Sequence, residues 1–155
     1  RIIMIKVNIE INNESWNKKI KKPKKYFNQK LKKVSKLIDI FKKKNITFTV
    51  LLTNSKTMKK LNNKFRKTNK TTDVLSFPFF TPKYLKSIKE KNIYIGDIAI
   101  SYEIINLRSK KITFSVNFDQ AWVHGLLHLL GYDHIRNKDY FKMNTIEKRI
   151  LNFIA

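Results

Sequence analysis

Residues 122–134 read WVHGLLHLLGYDH, and this stretch holds all three histidines of the chain, His124, His128 and His134. It constrains the fold on two faces at once. His124 and His128 are four residues apart, so on a helix their imidazoles share one face, a turn from each other. Trp122, Leu126 and Leu129 fall on the opposite face and call for burial, which suits packing onto a sheet. A continuing helix would carry His134 round to a different face. Gly131 interrupts it, because a glycine just past a helix takes the left-handed conformation cheaply and turns the chain. His134 can then return to the front of His124 and His128.

The rest of the chain supplies the sheet that such a helix needs. Residues 2–12 end in an alternating pattern that reads as a strand, and "ITFTVLLTN" (46–54) is a β-branched run that reads as a buried one. "TTDVLSFPFF" (71–80) predicts a short strand stopped by Pro78 and Pro82, and "IYIGDIAIS" (93–101) another, with a bulge or close approach at Gly96. Between them, residues 25–44 place Phe27, Leu31, Val34, Leu37, Ile38 and Phe41 at helical spacing. A second helix follows Asn54 or Ser55 as cap, with Met58, Leu61 and Phe65 inward. Residues 81–92 read as a lysine-rich loop. Further helices are expected near 102–108, 114–130 and 137–153. Four strands and about five helices, interleaved without a clean βαβ alternation, give an α+β or mixed α/β fold. The expected sheet is four-stranded and mixed, in one domain over 1–155.

Composition narrows the chemistry. There are no cysteines, which excludes disulfides, thiolate zinc sites and cysteine nucleophiles, and fits a cytoplasmic protein. The start, "RIIMIKVNIEI", carries no signal-peptide h-region, and Met4 is a possible initiator. No apolar run reaches the roughly 18–20 residues that span a bilayer. The net charge is +23, from 34 basic against 11 acidic residues. Such a charge suits a nucleic-acid partner. An AT-rich genome would also produce it, since only five of the 34 are Arg, so charge alone is weak support.

Three neutral imidazoles converging on one open position form the catalytic pattern for zinc rather than the closed structural one. Nickel or copper would accept the same set. A lone histidine on an apolar helix is usually a core residue, but three of three at ligand spacing is a different case. H-x-x-x-H-x-x-G-x-x-H is also the metzincin protease spacing. There the residue after the first histidine is a glutamate that serves as general base; here it is Gly125.

The string "HGLLHLLGYDH" (124–134) resembles the signature of the YbeY endoribonucleases, bacterial rRNA maturation factors. "LNNKFRKTNKTTDVLSFPF" (61–79) resembles that family's upstream block of an Arg followed by T-D-V-L-S-F-P. "IGDIAIS" (95–101) resembles its G-D-I strand, and "MNTIEKRIL" (143–151) its closing helix. The resemblance covers roughly residues 45–155. Two positions depart from it: Thr71 stands where the family often has Pro, and Lys67 where it often has Gly.

The resemblance implies a metal-dependent, single-strand-specific endoribonuclease. It would act in 16S rRNA 3′-end maturation and ribosome quality control, with single-stranded RNA, rRNA and the small ribosomal subunit as partners. One Zn²⁺ on His124, His128 and His134 would polarise a phosphoryl oxygen and lower the pKa of a water toward about 7. Arg66 matches the family's Arg, and its planar fork suits a phosphate where negative charge develops. Asp133 reads equally as a partner for a ligand imidazole and as a turn residue. Asp97 and Asp73 are candidates to cap or orient backbone near the site. Ser76 reads first as a sheet residue. Two other classes stay open: a metzincin-like zinc protease, and a non-catalytic zinc-containing RNA- or ribosome-binding module.

Overall fold

The computed structural model describes residues 5–66, 72–133 and 136–155, without the Arg66 side chain. The expectations resting on His134, Lys67 and Thr71 therefore lie outside the described residues. Four strands form one sheet: β1 (Ile5–Ile11), β2 (Asn45–Thr53), β3 (Val74–Pro78) and β4 (Asn92–Ser101). Their order is β1-β2-β4-β3. β1 and β4 each run parallel to β2, and β3 runs antiparallel to β4. The expected α+β class with a mixed four-stranded sheet is what the chain adopts.

Helices differ from expectation in number. The described residues form eight: α1 (Trp16–Lys19), α2 (Pro23–Val34), α3 (Ile40–Lys43), α4 (Ser55–Arg66), α5 (Pro82–Ser87), α6 (Tyr102–Arg108), α7 (Phe114–Leu129) and α8 (Asn137–Ile154). The single helix expected over 25–44 is broken after Val34. The amides of Lys36 and Leu37 bond three residues back, to Lys33 and Val34. This tight turn still sends Ile38 and Phe41 into the core beside Phe27, Leu31 and Val34. Apolar spacing alone does not separate a continuous helix from one with such a turn. Within the expected loop 81–92, α5 forms because the Thr81 hydroxyl accepts from the Tyr84 amide and Pro82 occupies the first turn.

The two faces of the sheet are unlike. β2 turns Ile46, Phe48, Val50 and Leu52 to the main core, which they share with Trp122, Leu126 and Leu129 of α7; α7 itself packs on β3 and β4. Each fully buried apolar side chain there contributes about 1.5–3 kcal/mol. The other face carries a small cluster of Met58, Leu75 and Ala99 under α4. The bulge expected at Gly96 is present: the β2–β4 register slips between Thr47 and Phe48, and Gly96 has φ of 140°.

A buried carboxylate fastens the outer helix to the inner one. Asp119 of α7 accepts from the Tyr26 hydroxyl (2.6 Å) and Lys30 Nζ (2.5 Å) of α2, and from Trp122 Nε1 (2.9 Å). Burial, and then the bond to Asp119, pushes the Tyr26 phenol far above its ordinary range, so it remains a donor.

Candidate active site

α7 begins where the Thr113 hydroxyl accepts from the Val116 amide and ends in a glycine cap. The Tyr132 amide bonds to Leu127 O (3.0 Å) and the Gly131 amide to His128 O (3.0 Å), with Gly131 at φ 94°. This is the Schellman arrangement, and it requires the left-handed residue that glycine provides. The turn expected at Gly131 is thus made, and it also delivers Tyr132 O to His128.

Both ligand-candidate imidazoles are oriented from behind. His128 Nδ1 lies 3.0 Å from Tyr132 O, a group that only accepts, so Nδ1 carries the proton. His124 Nδ1 lies 3.3 Å from Glu147 Oε2 of α8. Each ring then directs Nε2 forward, and the two Nε2 atoms stand 3.1 Å apart. Two nitrogens at neighbouring corners of a tetrahedron with ~2.0–2.1 Å bonds would be about 3.3–3.4 Å apart. The pair therefore fits one metal ion, with the outer hydrogen bonds that such ligands use. Among the described residues no group of three or more His, Cys, Asp or Glu assembles; the expected third ligand, His134, is not among them. Hydrogen bonding to Glu147, opposed by burial and aided by the charges of Glu147 and Asp73, raises the His124 pKa above its ordinary value.

These rings open onto a cleft of about 850 Å³ along the β3 edge of the sheet. Asn62 of α4, Asp73, Arg108 of α6, and Asn117 and Gln120 of α7 line it at polar positions; Pro78, Phe80, Pro82 and Tyr132 supply apolar wall. Asp73 orders the backbone here, as anticipated. Its carbonyl accepts from the Ser101 amide and its Oδ1 from the Val74 amide (both 2.9 Å), while Oδ2 holds Arg108 Nη1 at 2.5 Å.

The remaining candidates divide. Asp133 is exposed and lines the cleft. Arg66 closes α4, one turn on from Asn62, and its side chain is not among those described. Asp97 is not brought to the cleft. It alternates with Ile98, which faces α7, and so sits on the α4 side of the sheet, where its carboxylate accepts from the Tyr94 hydroxyl (2.5 Å). Ser76 is buried in β3, and its hydroxyl donates to Gly125 O (3.1 Å). Glu147 and Arg108 do not stand out in the sequence. Glu147 lies inside the closing-helix block, but its spatial neighbour is 23 residues away, and no local pattern reports that. Arg108 looks like any basic residue at a helix end.

Comparison with known proteins follows the same lines. A family model described as Endoribonuclease YbeY matches residues 10–155. A Pelagibacter ubique protein named Endoribonuclease YbeY is 46% identical over 157 residues, covering 97% of each chain. Its namesake from Ehrlichia canis is 32% identical over 151 residues, covering 96% of this chain and 92% of that one. A solution structure of a Thermotoga maritima protein matches the fold with a TM-score of 0.61 at 24% identity, over 97% of this chain and 89% of that one.

Proposed function

Because the chain belongs to the YbeY endoribonuclease family, we propose that it is an rRNA-processing endoribonuclease working as one domain over 1–155, with a metal held by His124, His128 and His134. The observation that carries this reading is the facing Nε2 pair of His124 and His128, each ring held at Nδ1 by an acceptor, in a cleft at the sheet edge. An all-imidazole donor set favours Zn²⁺, one ion per chain. Bound there, the ion would supply Lewis-acid polarisation of a phosphoryl oxygen.

The chain's own residues do the rest. Arg66 provides the planar cation for the charge that develops on the phosphate. Tyr132 O and Glu147 keep both imidazoles in the tautomer that presents Nε2. Asp133 lines the cleft next to His134 in sequence and supports that ligand. With no glutamate at position 125 to activate a water, the RNA's own 2′-hydroxyl attacks the adjacent phosphorus. The 2′-O–P bond forms, the P–O5′ bond breaks, the leaving 5′-oxygen takes up a proton in place of the one the 2′-hydroxyl gives up, and a 2′,3′-cyclic phosphate remains. The substrate is single-stranded rRNA, at the 3′ end of 16S rRNA on the small ribosomal subunit. Among the described residues no helix is long and apolar enough to cross a membrane, and we place the reaction in the cytoplasm.

The protease reading meets a steric obstacle: position 125 faces the sheet, where a side chain would collide with Ile98. The test uses protein purified without a histidine tag. Metal analysis should return one zinc per chain, and the protein should cut single-stranded but not duplex RNA. Arg66→Glu should keep the metal and lower cleavage by roughly 10²–10³-fold. His128→Ala should lose both. Cleavage surviving both substitutions overturns the assignment. RNA binding without cleavage, in a fold that melts on chelation, would instead identify a structural metal.

A further inference from the structure

One wall of the cleft ends in an aromatic pair that the chemistry above does not use. Phe80 is half-buried and lines the cleft; Tyr84 stacks on it, with centroids 5.5 Å apart and planes 27° from parallel. Tyr84 is 56% exposed. A large ring left this open on a hydrogen-bonded turn is not there to fill the core. The turn is held at several points. Thr81 caps α5 through the Tyr84 amide, and the Ser87 hydroxyl donates to Tyr84 O (2.9 Å).

The start of α5 also packs against the glycine turn that follows the histidine helix. Gly131 approaches Pro82 so closely that a Cβ there would stand 3.0 Å from Pro82 Cβ. Gly131 and Tyr132 are the residues that cap α7 and hold His128. A shift of α5 would therefore press on the turn that holds His128. Exposed Lys83 and Lys86 flank Tyr84 on α5 and add positive charge beside the rings. Other exposed aromatics lack this setting: Phe79 packs on Tyr94 and Phe65 on Phe77 away from the cleft, and exposed Tyr140, Phe141 and Phe153 do not line it, whereas Tyr84 stacks on a ring, Phe80, that does.

We infer that Phe80 and Tyr84 form a stacking subsite for an unpaired base of the RNA strand next to the phosphate at the histidines. Every base has a π face, so such a platform grips single strands with little regard to sequence, and a base locked in a duplex cannot reach it. This rests on the endoribonuclease reading and adds a structural reason for single-strand preference.

The experiment replaces Tyr84, whose exposure lets it change without opening the core. Tyr84→Leu keeps an apolar cover on Phe80 but has no π face; Tyr84→Trp keeps one. Binding is read by fluorescence polarisation with a labelled, uncleavable 2′-O-methyl oligouridine, and with the same backbone carrying abasic sites. Tyr84→Leu should weaken the base-bearing strand about 5- to 150-fold, while Tyr84→Trp binds like the parent. On the abasic strand all three proteins should bind alike. On cleavable RNA, Tyr84→Leu should raise KM and leave kcat unchanged. Equal affinities of parent and Tyr84→Leu, or equal losses on both strands, overturn the subsite while leaving the nuclease intact. A parent protein that neither binds nor cuts single strands overturns the nuclease reading and the subsite with it.

Discussion

Gly125 lies flat against Ile98. A Cβ built on Gly125 would stand 2.9 Å from Ile98 Cγ2 and 3.1 Å from Ser76 Oγ, the hydroxyl that donates to Gly125 O. The glycine lets α7 approach β4 and β3 closely here, beside His124. Gly125→Ala should cost about 1–3 kcal/mol in urea unfolding, because Ile98 is branched at the colliding position and has no flexible end to give. Gly125→Glu should fail to fold or open the helix, and should not confer peptide hydrolysis. A Gly125→Ala protein as stable as the parent would remove this account of the missing glutamate.

Glu147 sets the protonation of His124. In metal-free protein an NMR titration should find the His124 imidazole above its ordinary 6.5, and Glu147→Gln should bring it down. The sign follows from a folded value above the unfolded one. The stabilisation is complete below pH 6.5 and is lost as pH rises through the folded value. Glu147→Gln should also weaken metal affinity by about 10–100-fold, since it replaces the carboxylate behind a ligand with a neutral amide. An unchanged His124 titration would separate Glu147 from the site.

Asp119 joins α2 to α7. Asp119→Ala leaves Trp122 Nε1 without its acceptor in a fully buried ring, and strips Lys30 and Tyr26 of their partner. Denaturant unfolding should show a loss of about 2–4 kcal/mol. Tyr26→Phe, which removes one donor of three, should cost less than half as much.

Gly96 sits at the bulge where the β2–β4 register slips, and on its other side it pairs with Pro78 of β3. Its φ is 140°, and a Cβ at this position would stand 2.3 Å from Phe77 O, which leaves no room for a side chain. Gly96→Ala should lower the melting temperature by more than about 10 °C, which for a chain of this size corresponds to a few kcal/mol. It should also disturb RNA cleavage, because β3 forms the cleft edge. A near-native melting curve would show that the strand can slide.

Much of the architecture is readable from short-range pattern. β-Branched runs locate all four strands within a few residues, because alternation or continuous apolarity survives whatever partner the strand finds. α7 and its glycine stop are readable for the same reason: the Schellman bonds span only residues 127–132. The break after Val34 is not, since a tight turn preserves the inward spacing of Ile38 and Phe41. The Thr81–Pro82 start of α5 carries a local capping signal, but the lysines around it make the segment look like a loop.

The site divides along the same line. Spacing alone put His124 and His128 on one helical face, and glycine chemistry alone predicted the turn after them. The sheet order β1-β2-β4-β3 came from contacts between residues far apart in the chain, and only it decided which side of each strand meets α7. That is why Ser76 reaches Gly125 while Asp97, on the alternate side of β4, turns away toward Tyr94. It also decided that Glu147 stands behind His124 and that Arg108 meets Asp73. A helix repeats within four residues and writes its geometry into the sequence; a hydrogen bond between two elements leaves no periodic trace, and exists only once the core has brought them together.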